Sequence, residues 1–267
     1  MYLLHLETYM NKNKLITPDQ RYGFCLVAIA PIRRAPSDTS EIVSQLLFGE
    51  PIEVQEFGRP WVKIQSYLDG YEGYIDGKHI LPLTPKELKK WNDTKIYLSA
   101  SFTFMQTPWG KQLISKGSLV GETAQFKIGD FDFELQATPL PASTSLWENA
   151  LDYLNTSYLW GGKSMFGIDC SGFTQAVFRL QGINLPRDAY EQEELGEAID
   201  FEEAQLGDLA FFTNKVGKVI HVGIIGENHT IIHASGRVRI DELKENGIWN
   251  EEMELFSHSL SSIKRVG

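Results

Sequence analysis

The chain has 267 residues, 42% hydrophobic and 12% aromatic, enough apolar material for more than one packed core, which excludes a disordered protein. A formal charge of −10 with no basic run excludes a nucleic-acid partner. Two cysteines exclude a disulfide framework, and no segment reaches the roughly 20 apolar residues that span a bilayer, so no membrane partner is expected.

Residues 1–20 read as a polar, peripheral extension. Its start, Met1-Tyr2-Leu3-Leu4-His5-Leu6-Glu7, has no basic region, apolar core or small-residue cleavage site. It does not read as a secretion signal, and with Met1 as the true start a cytoplasmic location is expected. From Tyr22 to about Leu83, short apolar runs are broken by turn formers: Phe24 to Ile29, Glu41 to Leu47, Ile52 to Phe57, Trp61 to Ile64 and Tyr71 to Ile75. This predicts a small all-β barrel over residues 21–84, with Cys25 packed in a strand. Residues 85–138 predict a second β-rich unit, with strands at Ile96 to Phe104, Gln112 to Leu119 and Phe131 to Gln136.

Pro139-Leu140-Pro141 predicts a linker, because paired prolines disfavour continuation of helix and strand alike. After it, Ser145-Leu146-Trp147-Glu148 matches a capping box and opens an amphipathic helix through Trp147, Ala150, Leu151 and Leu154. Helices followed by a run of strands over residues 139–267 predict an α+β domain.

Within that domain, Asp169-Cys170-Ser171-Gly172-Phe173 places a thiol in the first turn of a helix. Phe173, Ala176, Val177 and Leu180 supply the helical spacing, Gly182 the stop, and Asp169 the N-cap. Unpaired N–H groups in a first turn favour thiolate over thiol, so Cys170 is a candidate nucleophile; inert packing is the alternative for a single cysteine. Gly172 is expected to keep the space beside the sulfur open.

A base is available in the next strongly patterned segment. Val219 to Ile225 and Thr230 to Ala234 predict a β-hairpin. A three-residue loop, Gly226-Glu227-Asn228, with Asn228 left-handed, would set His221 directly opposite His233, with Cβ atoms about 4.5–5.5 Å apart. Nucleophile, base and orienter then follow in the order Cys170, His221, His233. These wide spacings lack the paired short spacing of structural zinc sites, and no metal or other cofactor is expected.

Six motifs in order carry a family resemblance: Tyr158-Leu159-Trp160-Gly161-Gly162, Asp169-Cys170-Ser171-Gly172-Phe173, Leu185-Pro186-Arg187-Asp188, Leu206-Gly207-Asp208-Leu209-Ala210-Phe211-Phe212, His221-Val222-Gly223-Ile224 and Ile232-His233-Ala234-Ser235. Together they resemble the NlpC-type cell-wall peptidases, papain-like cysteine hydrolases that cut peptidoglycan stem peptides. The resemblance implies Cys170 as nucleophile, His221 as general base and His233 as third polar residue. It also implies the Tyr158 hydroxyl as an oxyanion donor beside the Cys170 N–H, with a core tyrosine as the equal alternative.

The stretch Glu41 to Glu50, with Trp61-Val62-Lys63-Ile64 and Asp69 to Ile75, resembles a bacterial SH3-like domain. Residues 85–138 take a second SH3-like assignment from their position between the other two domains. The resemblance thus implies two small all-β SH3-like barrels followed by an α+β papain-like NlpC-type catalytic domain. The combination is similar to γ-D-glutamyl-L-diamino acid endopeptidases, whose murein tripeptide or tetrapeptide substrates begin with L-Ala-γ-D-Glu. By that likeness Glu41 with Tyr71, or else Glu50, pairs with the substrate ammonium, although a solvated strand glutamate is the commoner fate. Trp160, Asp169, Ser171, Asp188 and Ala189 are carried over as substrate contacts. Ala189 replaces a small hydroxyl residue, leaving only its backbone, and Asp188 reads equally well as a helix cap with Glu191 three residues on. The competing functions are a papain-like amidase or acyltransferase and a non-catalytic murein-binding protein. The preferred diamino acid and the oligomeric state are not legible.

Overall fold

The computed structural model describes residues 16–140, 142–143 and 145–267. Most of the expected N-terminal extension, including the segment read for a leader, and Pro141 of the expected linker lie outside the described residues. The chain divides into two compact units, one ending at Ala142 and one beginning at Ser143.

In the first unit, seven strands form one antiparallel sheet: β1 (Tyr22–Cys25), β2 (Ile29–Arg33), β3 (Ile42–Leu47), β4 (Pro51–Glu56), β5 (Trp61–Ser66), β6 (Glu72–Asp76) and β7 (Ile80–Leu83), in the order β3-β2-β6-β5-β4-β1-β7. The strands predicted at 41–47, 52–57, 61–64 and 71–75 correspond to β3 to β6. The run read as 24–29 is instead β1 and the start of β2, and β7 was not anticipated. Alternating residues such as Ala30, Ile32, Val62, Ile64 and Ile75 fill one core, and Cys25 is buried in β1.

Residues 85–138 begin with a helix that the strand reading missed, α1 (Pro85–Thr94). Its start was legible: Thr84 caps Glu87 N at 3.3 Å, Glu87 Oε2 accepts from Thr84 N at 2.7 Å, and Pro85 occupies the first turn. The strands β8 (Lys95–Tyr97), β9 (Phe102–Thr107), β10 (Gly110–Ser115), β11 (Leu119–Gly121), β12 (Gln125–Ile128) and β13 (Phe131–Leu135) follow. They form a sheet in the order β10-β9-β13-β12 and a separate β11-β8 ladder. Packing does not break at residue 84, because Phe24, Phe48, Leu81 and Leu83 share one core with Leu88, Trp91, Met105 and Phe133.

The second unit opens with α2 (Leu146–Leu151), whose N-cap Ser145 accepts from Glu148 N at 3.2 Å; the helix stops three residues before Leu154. A short hairpin, β14 (Lys163–Ser164) and β15 (Gly167–Ile168), leads into α3 (Cys170–Arg179). Then come α4 (Ala189–Glu193), β16 (Glu197–Ala198), β17 (Leu209–Thr213), β18 (Val219–Ile225), β19 (Thr230–Ser235), β20 (Arg237–Lys244), β21 (Gly247–Asn250) and β22 (Leu255–Arg265). The sheet order is β16-β22-β17-β18-β19-β20-β21, and β22 pairs with β21 as well, closing six strands on themselves. Strand alternation divides the side chains between two cores. Val222, Ile224, Ile232 and Ala234 pack with Phe173 and Val177 of α3, while Phe212, Ile225, Ile231 and Ile248 form the other core.

Candidate active site

Cys170 is the first residue of α3, and Asp169 caps the helix by accepting from Gly172 N at 2.7 Å. Cys170 is 6% exposed. Backbone N–H groups of Val222 and Ser171 hydrogen-bond it and favour the anion, but burial and the Asp169 carboxylate outweigh them and push the thiol up to about 12. The helix N-terminus therefore does not make a standing thiolate here, contrary to the sequence expectation, because a partial positive charge does not offset the loss of water. Gly172 also acts differently from expectation. A Cβ there would lie 2.2 Å from Gly162 O, so the glycine admits neighbouring backbone rather than keeping space open.

His221 lies in β18, one residue before the Val222 whose N–H holds the sulfur. Among the described residues no hydrogen bond joins Cys170 to His221. The imidazole instead binds His233, Nε2 to Nδ1 at 2.8 Å. The register that brings the rings together differs from prediction. Gly223, not His221, faces His233, because the chain turns through Gly226–Thr230 and Gly226 N bonds Thr230 O. Asn228 is left-handed as expected, and His229 is too. The loop is two residues longer than assumed, and since side chains alternate with period two, both histidines still share a face and meet diagonally. Gly223 makes this possible: a Cβ there would lie 2.9 Å from His233 Cβ and 2.7 Å from Ile231 Cδ1.

Two residues that the sequence reading left without a role complete the group. His233 Nε2 lies 2.8 Å from Asp241 Oδ2, and His258 of β22 stacks on His221 with ring centroids 4.1 Å apart. Neither showed a sequence signal, because β20 and β22 come alongside only when the barrel closes. Burial and the neighbouring imidazoles lower the His221 pKa well below 6.5, and burial lowers that of His258 to about 4, so both rings are neutral at pH 7. His221, His233 and His258 each bring one ligating nitrogen within 4.8 Å of the others. Stacked at 23°, the rings of His221 and His258 cannot aim their in-plane lone pairs at one point, and His221 and His233 already bond each other. The cluster is built as a hydrogen-bonded chain rather than a coordination site.

The other expected contacts are placed as follows. Tyr158 is half-buried; burial first, then the nearby Cys170 and Asp169, push its hydroxyl up to about 12, so it stays a donor at neutral pH. Its backbone bridges Ile168, two residues before the cysteine. Trp160 is 59% exposed. Asp169 is engaged internally: Arg187 binds both its oxygens at 3.0 and 2.6 Å, Gly161 N donates at 2.8 Å, and Arg187 also donates to Ser171 Oγ at 2.9 Å. Asp188 starts α4, its N–H 3.4 Å from Glu191 Oε2, and Ala189 packs in the core. In the first unit, Glu41 Oε2 accepts from Arg34 Nε at 2.6 Å, Tyr71 N bonds Asp69 Oδ1, and Glu50 is fully buried.

A thiol on a helix N-terminus and a buried imidazole chain on adjoining strands of one unit define a cysteine hydrolase site. Residues 155–257 match the NlpC/P60 family and residues 32–80 the bacterial dipeptidyl-peptidase SH3 domain, so the chain carries an NlpC/P60 cysteine peptidase domain together with a bacterial SH3 domain. The gamma-D-glutamyl-L-lysine dipeptidyl-peptidase of Bacillus subtilis is 29% identical over 243 residues, 82% of this chain and 77% of that protein. Dipeptidyl-peptidase 6 of Lysinibacillus sphaericus is 27% identical over 257 residues, 82% and 91% of the two chains. The crystal structure of an NlpC/P60 family protein from Bacillus cereus superposes with a TM-score of 0.74 at 21% identity, covering 91% of this chain and 99% of that one, and supports the fold.

Proposed function

We propose that this protein is a papain-like cysteine endopeptidase that cuts murein stem peptides between γ-D-Glu and an L-diamino acid, with Cys170, His221 and His233 as its catalytic group. The observation that carries the reading is the approach of Cys170 to Val222, directly after a base already hydrogen-bonded to its orienter. The name of the Bacillus subtilis relative supports a γ-D-glutamyl dipeptidyl-peptidase activity, and that of the Lysinibacillus sphaericus relative a dipeptidyl-peptidase activity. In this mechanism substrate draws the sulfur off the Val222 N–H, and His221 takes the thiol proton as sulfur attacks the carbonyl carbon. Catalytic hydrogen bonds often tighten only once substrate is bound. The Cys170 N–H and the Tyr158 hydroxyl stabilise the oxyanion. His221 returns the proton to the leaving amine, and water hydrolyses the thioester.

On this reading residues 85–138 are a second SH3-like domain, and the barrels select peptides with a free amino end. Glu41, with Tyr71, pairs with the α-ammonium of L-Ala. Glu41 presents a partly exposed carboxylate, whereas Glu50 is fully buried. A role in cytoplasmic recycling of murein peptides follows from that preference. Among the described residues no helix is long and apolar enough to cross a membrane.

The test is incubation with L-Ala-γ-D-Glu-L-Lys and its diaminopimelate equivalent, with mass spectrometry for the released dipeptide. Release that disappears in His221→Ala with an unchanged circular dichroism spectrum supports the reading. No release from either peptide, with turnover of another amide, would favour a different acyl-transfer chemistry. Glu41→Gln should raise KM for the free-amine peptide and leave an N-acetylated analogue unaffected; equal effects on both would remove Glu41 from the amine site.

A further inference from the structure

We propose that Asp241 is a positioning residue that fixes the tautomers of His233 and His221, so that His221 keeps Nδ1 unprotonated and able to accept the thiol proton. The catalytic consequence rests on the cysteine peptidase reading; the tautomers themselves do not.

The placement follows the strand register. His233 lies opposite Gly223 on one side and opposite Arg239 on the other. His221 is two residues before Gly223 and Asp241 two residues after Arg239, so all three groups project from the same face of the sheet. They form a diagonal across β18, β19 and β20. Its two links are both 2.8 Å, from His221 Nε2 to His233 Nδ1 and from His233 Nε2 to Asp241 Oδ2.

The proton order along this line is determined from the Asp241 end. An ionised carboxylate accepts hydrogen bonds and donates none. Asp241 is held ionised: burial raises its pKa, but hydrogen bonds from His233 and Arg239 together outweigh burial and leave it below the usual value. His233 must therefore present Nε2–H to Asp241. With its one proton on Nε2, the neutral His233 ring has only a lone pair at Nδ1 and accepts there from Nε2–H of His221. A neutral imidazole carries one ring proton, so Nδ1 of His221 is left as the basic nitrogen. Arg239 steadies the carboxylate, its Nη2 donating to Oδ1 at 2.8 Å while its Nη1 reaches Glu252 Oε2 at 3.2 Å. The charged and titratable groups facing the line are thus Arg239 and, beyond it, Glu252, with His258 stacked on His221.

Asp241→Asn should reverse the order. Arg239 Nη2 hydrogen-bonds Oδ1 at 2.8 Å, whereas its Nε, 2.8 Å from Oδ2, makes no hydrogen bond among the described residues, so the new carbonyl is held on the Nη2 side and the amide N–H turns toward His233 Nε2. His233 then carries its proton on Nδ1, donates to His221 Nε2, and forces the His221 proton onto Nδ1. The catalytic nitrogen is blocked although every heavy atom stays in place, and kcat/KM should fall by at least about 100-fold, as when an acid-to-amide change imposes the wrong tautomer on a catalytic triad. Asp241→Ala removes the acceptor without imposing the reverse order; it should show mixed tautomers and a smaller loss, partly restored by added formate.

The experiment is side-chain 15N NMR of His221 and His233 at pH 7.5 in the full chain and both variants, alongside kcat/KM. The expected result is Nε2–H on both rings in the unsubstituted protein and Nδ1–H on both in Asp241→Asn. An Nδ1–H form of His221 in the unsubstituted protein would overturn the inference without any variant, as would unchanged tautomers in a folded Asp241→Asn. If the tautomers reverse as stated but no murein peptide is cut by any form, the positioning role stands and the peptidase reading fails. If the unsubstituted protein is active and the tautomers do not move, only the positioning role fails.

Discussion

Cys170 rests as a protonated thiol held by backbone N–H groups, and that resting state has measurable consequences. Alkylation by iodoacetamide at pH 7 should be slow and should still be rising with pH above 9; rapid reaction at pH 7 would show a standing thiolate. His221, the proposed base, has the opposite shift. A His221 pKa pushed below 6.5 means the ring becomes protonated, and catalysis is lost, only at a pH under that value. The acid limb of kcat/KM should therefore have its midpoint well below 6.5, and a midpoint at or above 6.5 would contradict the burial of the ring. The proposed roles of Cys170, His221 and His233 were readable from the sequence, since each stands in a motif of its own. Asp241 and His258 were not, because what makes them significant is the ring each touches.

At the scale of elements, the site depends on how α3 and the β18–β19 hairpin are held. Asp169 is both the cap of α3 and one half of a buried ion pair with Arg187. Arg187→Met would leave the carboxylate with only the backbone donors of Gly161 and Gly172 and the distant Ser171 hydroxyl, and should cost about 3–5 kcal/mol in a denaturant titration. A loss under about 1 kcal/mol would mean that Asp169 is stabilised by other means. The hairpin makes a different demand. Gly223→Ala drives a methyl group into His233 Cβ and the Ile231 side chain, separating the rings. It should lower kcat/KM by more than tenfold, with an upfield change in the imidazole N–H proton resonance marking the lost His221–His233 bond; unchanged activity would show that the hairpin accommodates the methyl. Hairpin and helix were both readable from hydrophobic period. The pairing was not, because two extra loop residues slide one strand past the other without altering which residues face inward.

At the scale of the molecule, the first unit is a continuous body from β1 to β13. Trp91 of α1 donates to Gly49 O at 2.8 Å and stacks with Phe126, joining the turn before β4 to β12 of the four-stranded sheet. A chain ending after Leu83 should therefore lose cooperative thermal unfolding and bind 8-anilinonaphthalene-1-sulfonate, since Phe24, Phe48 and Leu81 would face water. A sharp unfolding transition in that fragment would show that residues 21–84 are self-sufficient. The second unit is closed by its own last strand: β22 pairs with β17 and β21 and carries His258 to the face of His221.

Local pattern by itself determined four strands of the first sheet, the thiol at a helix start, two histidines on one face of a hairpin, and a turn with a left-handed Asn228. Each depends on residues close in the chain, whose spacing sets which side of a helix or strand they occupy. Tertiary structure alone decided that the thiol keeps its proton, that the histidines meet diagonally over Gly223, and that Asp241 ends the line they form. Those outcomes depend on desolvation and on contacts between strands distant in sequence, and burial at a point is a property of everything packed around it.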